Sequence, residues 1–487
     1  MTAVAIDTPT ALDSAVRAAA TAAEQNAQAD PATRAGWLEA IARELRAAAP
    51  ELVSIADRET HLGENRLHTE LRRTAFQLDL FADEIRRGST LEATIDHADP
   101  DWGMGPRPDI RRMNVPLGVV GVFGASNCPF AFSVIGGDSA SALAAGCAVL
   151  HKFHSAHTEL ARRTGQLVVD ALASAGAPEG LFSLVEGREA GIAIVEHPLV
   201  RAVGFTGSTA VGRELFARAA ARPEPIPFFG ELGSTNPVFV FPTAWQARGE
   251  AILDAFAGSF TAGVGQFCTK PGALLVPEAG TDVADRLGRA LSQVSISAML
   301  SPGLRTSYGA AVDAMAQRPG VRVLIDGRSA DEVPDPTVFE VDAEEVLADP
   351  GILGEEMFGP ATLVVRYRDE AQLRRLADVL DGQLTTSIQA DAADSATDLV
   401  DLLAAASGRV LWNEWPTGVT VSYAQEHGGP YPATTAPGTT SVGTSAIRRF
   451  QRPVAYQGFP DAALPPVLQE ANPWSVTRRV DGVYVNA

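Results

Sequence analysis

The chain has 487 residues, a formal net charge of -20 and a sequence pI of about 4.8, a balance that disfavours nucleic acid and anionic membrane surfaces as partners. Hydrophobic residues make up 46%, with 44 glycines and 32 prolines, which fits a compact α/β protein with many tight turns and excludes a disordered chain. At this length two or three structural units are expected, and three cysteines at wide spacing, Cys128, Cys147 and Cys268, suggest neither a disulfide framework nor a CxxC zinc site.

The N-terminus, MTAVAIDTPTALDSAVRAAATAAEQ, lacks a basic segment followed by a continuous apolar run and reads as the start of a helix rather than a signal peptide. No stretch of about 18 uninterrupted apolar residues follows, so the chain reads as soluble and cytoplasmic. From about residue 14 to 86 apolar residues recur at helical spacing, as in LEAIARELRAAAPELVSIADRE and LHTELRRTAFQLDLFADEIRR. Prolines and glycines then bracket two strand-like pieces, RRMNV and VVGVFG.

Between 118 and 240 strand-like and helix-like runs alternate: GVVGVF, FSVIGGDSASALAAG, CAVLHKF, TELARRTGQLVVDALASAG, LFSLVE, EAGIAIVEH, VRAVGF, TAVGRELFARAAA and PIPFF. Repeated βα units with nearly continuous apolar strands predict a parallel sheet covered on both faces, with ligands at the carboxyl ends of its strands. A second alternating region from about 236 to 412 contains GALLV, VRVLI, ATLVV, LTTSI and RVLWN. The tail from about 434 is rich in Thr, Pro and Gly and has one strand-like piece, RPVAYQ.

Four pieces carry chemistry. In FTGSTAVGREL, residues 205 to 215, a strand ends in a Gly-Ser-Thr turn before a helix, whose free N–H groups suit a pyrophosphate. In FFGELGSTNP, residues 228 to 237, Glu231 sits among phenylalanines and glycines, an apolar setting that would raise its pKa and suit it as a general base. In GVGQFCTKPG, residues 263 to 272, glycines let the backbone approach a substrate, and Lys270 or a helix start beside Cys268 would lower the thiol pKa. In GASNCPF, residues 124 to 130, Asn127 follows a strand and could present its amide to a developing oxyanion. For each piece the residues alone leave a structural reading open: a turn, a capped or ion-paired carboxylate, a small core residue, a turn asparagine. The spacing of His151, His154 and His157 matches neither an i, i+4 helix pair nor a tetrahedral set, so no metal is expected.

Together the pieces resemble one family, the NAD(P)-dependent aldehyde dehydrogenases. SNCPF near 127, VLHKFHS near 152, FTGSTAVG near 207, ELGSTNP at 231, GQFCTKPG at 268 and EEMFGP at 355 to 360 occur in the family's order and approximate spacing. The resemblance implies an α/β aldehyde dehydrogenase-like fold with a Rossmann-like cofactor domain, an α/β catalytic domain and a small oligomerisation element. The expected boundaries are 1–97 and 119–232 for the NAD(P)-binding domain, 233–433 for the catalytic domain, and 98–118 with 434–487 for a hairpin and tail that cross to a partner in a homodimer or homotetramer.

Roles carry over from the resemblance. Cys268 matches the nucleophile that attacks the aldehyde, Asn127 and the Cys268 N–H the oxyanion hole, and Glu231 the base that activates water against the thioester. Lys152 matches the residue that holds the adenosine ribose, Gly207, Ser208 and Gly212 the pyrophosphate turn, and Glu356 and Phe358 those that orient the nicotinamide ribose and ring. Many NAD-preferring members carry a glutamate three residues after the lysine; here the position is Ser155, and Arg188 is placed near the adenosine end, which together imply a preference for NADP with tolerance of NAD left open. His427, in YAQEHGGPYPATT, falls on a loop near the substrate entrance, either as a group assisting Cys268 or Glu231 or as a surface histidine.

Ser234 in place of the commoner second glycine, with HGGPYPATT and TTSVGTSAIRRFQRPVAYQ, resembles the branch that contains 2-oxoglutarate semialdehyde dehydrogenases of sugar-acid catabolism, and also NADP-linked fatty aldehyde dehydrogenases. The first is favoured, with a small-molecule aldehyde as substrate. A CoA-acylating enzyme would generally lack the base at Glu231, and an idle scaffold would not require Cys268, Glu231 and Asn127 together.

Overall fold

In a computed structural model, residues 6–280, 282–329, 331–392, 394 and 396–485 are described. Their strands form three sheets. The first runs Phe182–Val185, Ala148–Lys152, Val119–Phe123, Val200–Thr206, Phe228–Glu231, and every neighbouring pair is parallel. Its strands are almost continuously buried because helices cover both faces, which is why they read as unbroken apolar runs. Registers of Phe123 with Lys152 and Phe205, and of Thr206 with Glu231, set these carboxyl ends side by side along one edge.

The second sheet has seven strands, in the order Arg322–Ile325, Thr337–Asp342, Ala361–Tyr367, Ala273–Pro277, Val238–Val240, Gln383–Gln389, Ser407–Trp412, parallel apart from the first pair. Cys268 lies in the turn that leads into Ala273–Pro277, after the helix Pro242–Thr261. The third sheet joins Gln451–Gln457, Ile110–Pro116, Thr94–Asp96, Arg478–Val480 and Val483–Val485. Among the described residues no helix is long and apolar enough to cross a membrane.

Three sequence expectations change here. Thr94–Asp96, assigned with 1–97 to the cofactor unit, is the middle strand of the third sheet, pairing with Ile110–Pro116 and Arg478–Val480. The tail assigned from 434 divides, because Ala446, Ile447 and Phe450 pack into the core of the cofactor unit whereas Gln451–Gln457 joins the third sheet. The helix expected over FSVIGGDSASALAAG covers only Asp138–Ala145, since Gly137 takes φ +52° and a Cβ on Gly136 would stand 2.2 Å from the Phe130 carbonyl oxygen. The final hairpin, Arg478–Val480 to Val483–Val485, was not anticipated, although the Asp481-Gly482 dipeptide is a hairpin-turn signal.

Candidate active site

The loop that carries Cys268 is shaped by three successive left-handed residues, Gly263 (φ +56°), Val264 (φ +62°) and Gly265 (φ +66°). A Cβ on Gly265 would meet the Gly359 carbonyl oxygen at 2.2 Å, so glycine is required there, while Val264 is a β-branched residue in a strained region held by its surroundings. Asn236, itself at φ +50°, donates from Nδ2 to the carbonyls of Cys268 (2.8 Å) and Lys270 (2.9 Å). Asn236 is in turn fixed by the buried Gln383 Oε1, which accepts from the N–H groups of Thr235 and Asn236 at 2.9 and 3.0 Å. Ser234, the departure from the usual glycine, joins this hub by donating from Oγ toward Gln383 Oε1 at 2.9 Å and accepting from the Leu384 N–H at 3.0 Å.

Glu231 ends the last strand of the cofactor sheet and is buried. Its Oε1 lies 2.9 Å from His427 Nε2, and Ser441 donates its hydroxyl to Oε2. The same His427 nitrogen stands 3.6 Å from Cys268 Sγ. His427 is held by its backbone, with its N–H on Thr440 Oγ1 (2.9 Å) and its carbonyl receiving the Ser441 N–H (2.9 Å). One ligand-type atom each from Glu231, Cys268 and His427 falls within 4.8 Å of the others.

The electrostatics reverse two expectations. Burial pushes the Glu231 carboxyl up, but His427, Ser441 and Arg449 together outweigh it and hold the group below its ordinary value; the apolar setting read from sequence omitted these partners. Burial pushes the Cys268 thiol well up, and the charge of Glu231 adds to this. Lys270 does not offset it: its Nζ is buried and donates to the carbonyls of Met357 (2.6 Å), Gly359 (3.2 Å) and Ala361 (2.6 Å), so it braces the loop instead of facing the thiol. Asn127 donates one N–H from Nδ2 to the Gln266 carbonyl (2.9 Å), leaving its second for a ligand.

A cavity of about 390 Å³ is lined by Asn127, Thr206, Gly207, Ser208, Glu231, Cys268, Glu356 and Phe358 among others. An adjoining cleft of about 350 Å³ is lined by Lys152, His154, Arg188, Gly207, Ser208 and Glu214. Ser208 is the N-cap of the helix Thr209–Ala220 but makes no side-chain cap, so the helix start is open to an anion. A Cβ on Gly212 would meet Leu232 at 2.2 Å, which makes this glycine a packing contact under the turn. Lys152 has no ion-pair partner among the described residues, whereas Arg188 is highly exposed and reaches Glu214 Oε2 at 3.5 Å. Burial raises the Glu356 carboxyl to about 7, and Gly233 lies against it, where a Cβ would stand 2.4 Å from Glu356 Oε2 and displace that carboxylate. The dimensions and donor set of this cleft fit a dinucleotide: a helix start for the pyrophosphate, cationic groups at one end and a carboxylate at the other.

Of the sequence candidates, Gly212 packs beneath the cleft without lining it, and Ser155 stands apart: it begins the 3-10 turn Ser155–His157, is exposed and does not line the cleft. His151 and His157 are separate buried groups, bonded to Ser139 Oγ (2.9 Å) and the Ala125 carbonyl (3.2 Å), and form no cluster. Sequence reasoning missed Ser441, Asn236 and Gln383; only the Asn-Pro step at Asn236 signalled a special backbone position.

A model of the aldehyde dehydrogenase family matches residues 1–431. The chain is 47% identical over 461 residues to the α-ketoglutaric semialdehyde dehydrogenase 2 of Azospirillum brasilense, covering 93% of this chain and 87% of that protein. It is 42% identical over 460 residues to the α-ketoglutaric semialdehyde dehydrogenase of Acinetobacter baylyi, covering 92% and 87%. Among solved structures, the γ-glutamyl-γ-aminobutyraldehyde dehydrogenase of Burkholderia cenocepacia superposes with a TM-score of 0.78 at 23% identity, over 92% of this chain and 88% of that one, a likeness of fold.

Proposed function

This chain belongs to the aldehyde dehydrogenase family, and from that premise we propose that it oxidises 2-oxoglutarate semialdehyde to 2-oxoglutarate with NADP as the preferred hydride acceptor. The observation that carries the chemistry is the meeting of Cys268 Sγ, His427 Nε2 and Glu231 Oε1, at 3.6 and 2.9 Å, on the wall of a cleft fit for a dinucleotide. The names of the two relatives support the substrate.

In this reading Cys268 rests as a buried thiol and His427 carries its own proton on Nδ1, so that the free Nε2 takes the thiol proton as sulfur attacks the aldehyde carbon and the imidazolium so formed faces the Glu231 carboxylate. The resulting alkoxide is received by the Cys268 N–H, which has no partner among the described residues, and by the second N–H of Asn127. Bound NADP supplies the acceptor for the hydride that leaves this carbon, and a thioester on Cys268 remains. Glu231, already ionised through its partners, removes a proton from water as it attacks the thioester; sulfur leaves and regains the proton from His427. Glu356, Phe358 and the turn at Gly207-Ser208 hold the cofactor so that the carbon and its acceptor stay in reach.

Support for NADP is the balance of charge at the far end of the cleft. Lys152 and Arg188 line it beside His154, whose pKa burial lowers to about 4 and which is so kept neutral, position 155 is serine, and the one acidic lining residue, Glu214, faces Arg188. The exposed Val483, Tyr484 and Val485 on the edge of the third sheet support a homo-oligomer. The test is kcat/KM for NADP and NAD across 2-oxoglutarate semialdehyde, succinate semialdehyde, glutaraldehyde and long-chain aldehydes. A tenfold preference for NAD refutes the cofactor assignment, and a preference for long-chain aldehydes replaces the substrate with that of a fatty aldehyde dehydrogenase.

A further inference from the structure

Cys268 is shared by two spaces. Besides the cofactor cavity it lines a second cavity of about 330 Å³, together with Arg66, Thr69, Glu70 and Arg73 of the helix Glu64–Arg87, Cys128 and Phe132 of the loop after Asn127, and Phe267. Residues 66, 69, 70 and 73 fall on one helix face, at i, i+3, i+4 and i+7, so a single face of the helix brings both arginines to the wall of this second cavity.

The two arginines are bound very differently. Arg66 stacks over the Phe267 ring at 4.2 Å and donates from Nη2 to the Asn127 carbonyl at 2.6 Å, so it braces the two residues flanking the reacting centre, while its Nη1 is buried without a hydrogen-bond partner. Arg73 is tethered through Nε to the Val419 carbonyl at 3.1 Å and lies over the Phe132 ring at 5.3 Å, yet both of its terminal nitrogens are buried without a hydrogen-bond partner. Glu70 does not satisfy them: its Oε1 accepts the N–H groups of Phe130 and Ala131 at 2.9 Å, and its ion pair is with Arg66 at 4.0 Å. Arg66 and Arg73 stand against the single carboxyl group of Glu70, so the ionisable groups that line the cavity are cationic in excess.

A buried guanidinium with both terminal nitrogens unmet is costly, and its planar fork matches a carboxylate bidentately. The geometry points to Arg73 as the anchor for the carboxylate of the aldehyde substrate, held in the second cavity while its aldehyde carbon reaches Cys268. This rests on the reading of the enzyme as a dehydrogenase of an acid-bearing semialdehyde, and it assigns a binding residue that selects acid-terminated chains over neutral ones. The aromatic rings of Phe132 and Phe267 contact the methylene segment, so chain length and terminal charge are read by different groups.

The experiment compares kcat/KM for 2-oxoglutarate semialdehyde with that for pentanal, in the parent, Arg73→Met and Arg73→Lys, with glutarate as a non-reacting competitive inhibitor. In the parent the acid is favoured. In Arg73→Met the acid-to-pentanal ratio falls at least about 30-fold, mainly through KM, and glutarate inhibition weakens in parallel, as loss of a charge-assisted pair requires. Arg73→Lys, which keeps the charge without the fork, recovers part of the ratio, and this separates anchoring from a folding defect, which lowers both substrates together. An Arg73→Met enzyme that keeps the parent's ratio and its glutarate inhibition overturns the anchor while leaving the proposed substrate standing. A parent that shows no preference for the acid over pentanal overturns the substrate and the anchor with it.

Discussion

Replacement of Glu231 by glutamine separates the two duties that the site keeps apart. The carboxylate lies within 4.8 Å of Cys268 Sγ, and its charge is the largest electrostatic contribution, after burial itself, that holds the thiol protonated. At that separation and an effective dielectric near 20, the repulsion is on the order of 3.5 kcal/mol, a ceiling that water entering the variant site reduces. Glutamine keeps the shape and removes the charge, so the thiolate fraction at a fixed neutral pH rises. About half of that gain is returned because a less basic thiolate is a weaker nucleophile, which leaves a net acceleration of about tenfold in alkylation by iodoacetamide. The same variant loses steady-state turnover, because in the proposed mechanism thioester hydrolysis has no base, and gives a burst of one reduced nicotinamide per site. The assays are the pH dependence of Cys268 alkylation and a rapid-mixing burst. Alkylation slower than the parent at every pH would refute the assignment, since Glu231 would then be the acceptor of the thiol proton instead of a charge opposing the thiolate.

His427→Gln removes the strongest of the influences that hold Glu231 below its ordinary value, leaving burial to push the carboxyl up. The sign follows directly: a base must be ionised to act, so the acid limb of the kcat profile moves to higher pH, and the burst slows by about 10²-fold as the thiol loses its acceptor; an unmoved acid limb counts against the Glu231–His427 coupling. Gln383→Leu strips the shared acceptor from the N–H groups of Thr235 and Asn236. It should lower unfolding free energy by about 2–4 kcal/mol, measured by denaturant titration, with kcat falling because Asn236 holds the Cys268 carbonyl. Gly265→Ala places a Cβ 2.2 Å from the Gly359 oxygen at φ +66° and should abolish activity, whereas Gly258→Ala, in a helix with nothing within 4 Å, is neutral or stabilising by up to ~1 kcal/mol. Equal effects of these two changes on activity and melting temperature would show that the loop conformation is not what presents Cys268.

Much of this site is written in short stretches of sequence, because covalent neighbours decide local backbone. Apolar runs such as GVVGVF and CAVLHKF marked the parallel strands, and the glycines of GVGQFCTKPG marked a loop of unusual conformation. The ordered motifs singled out Cys268, Glu231 and Asn127, which the fold brings to one cavity. Tertiary structure decided what those groups experience. His427 lies 159 residues beyond Cys268, and its ring falls between Sγ and Glu231 only through the packing of its loop against the end of the cofactor sheet. The direction of the Glu231 shift, upward from its apolar neighbours and downward in the fold, was fixed by His427, Ser441 and Arg449. Lys270, two residues from Cys268, turned away to three carbonyls, and Arg73, nearly two hundred residues distant, came to line a cavity that Cys268 shares. Backbone shape is a property of neighbours along the chain, whereas charge, proton affinity and ligand fit depend on neighbours in space, and those exist only once the sheets have packed.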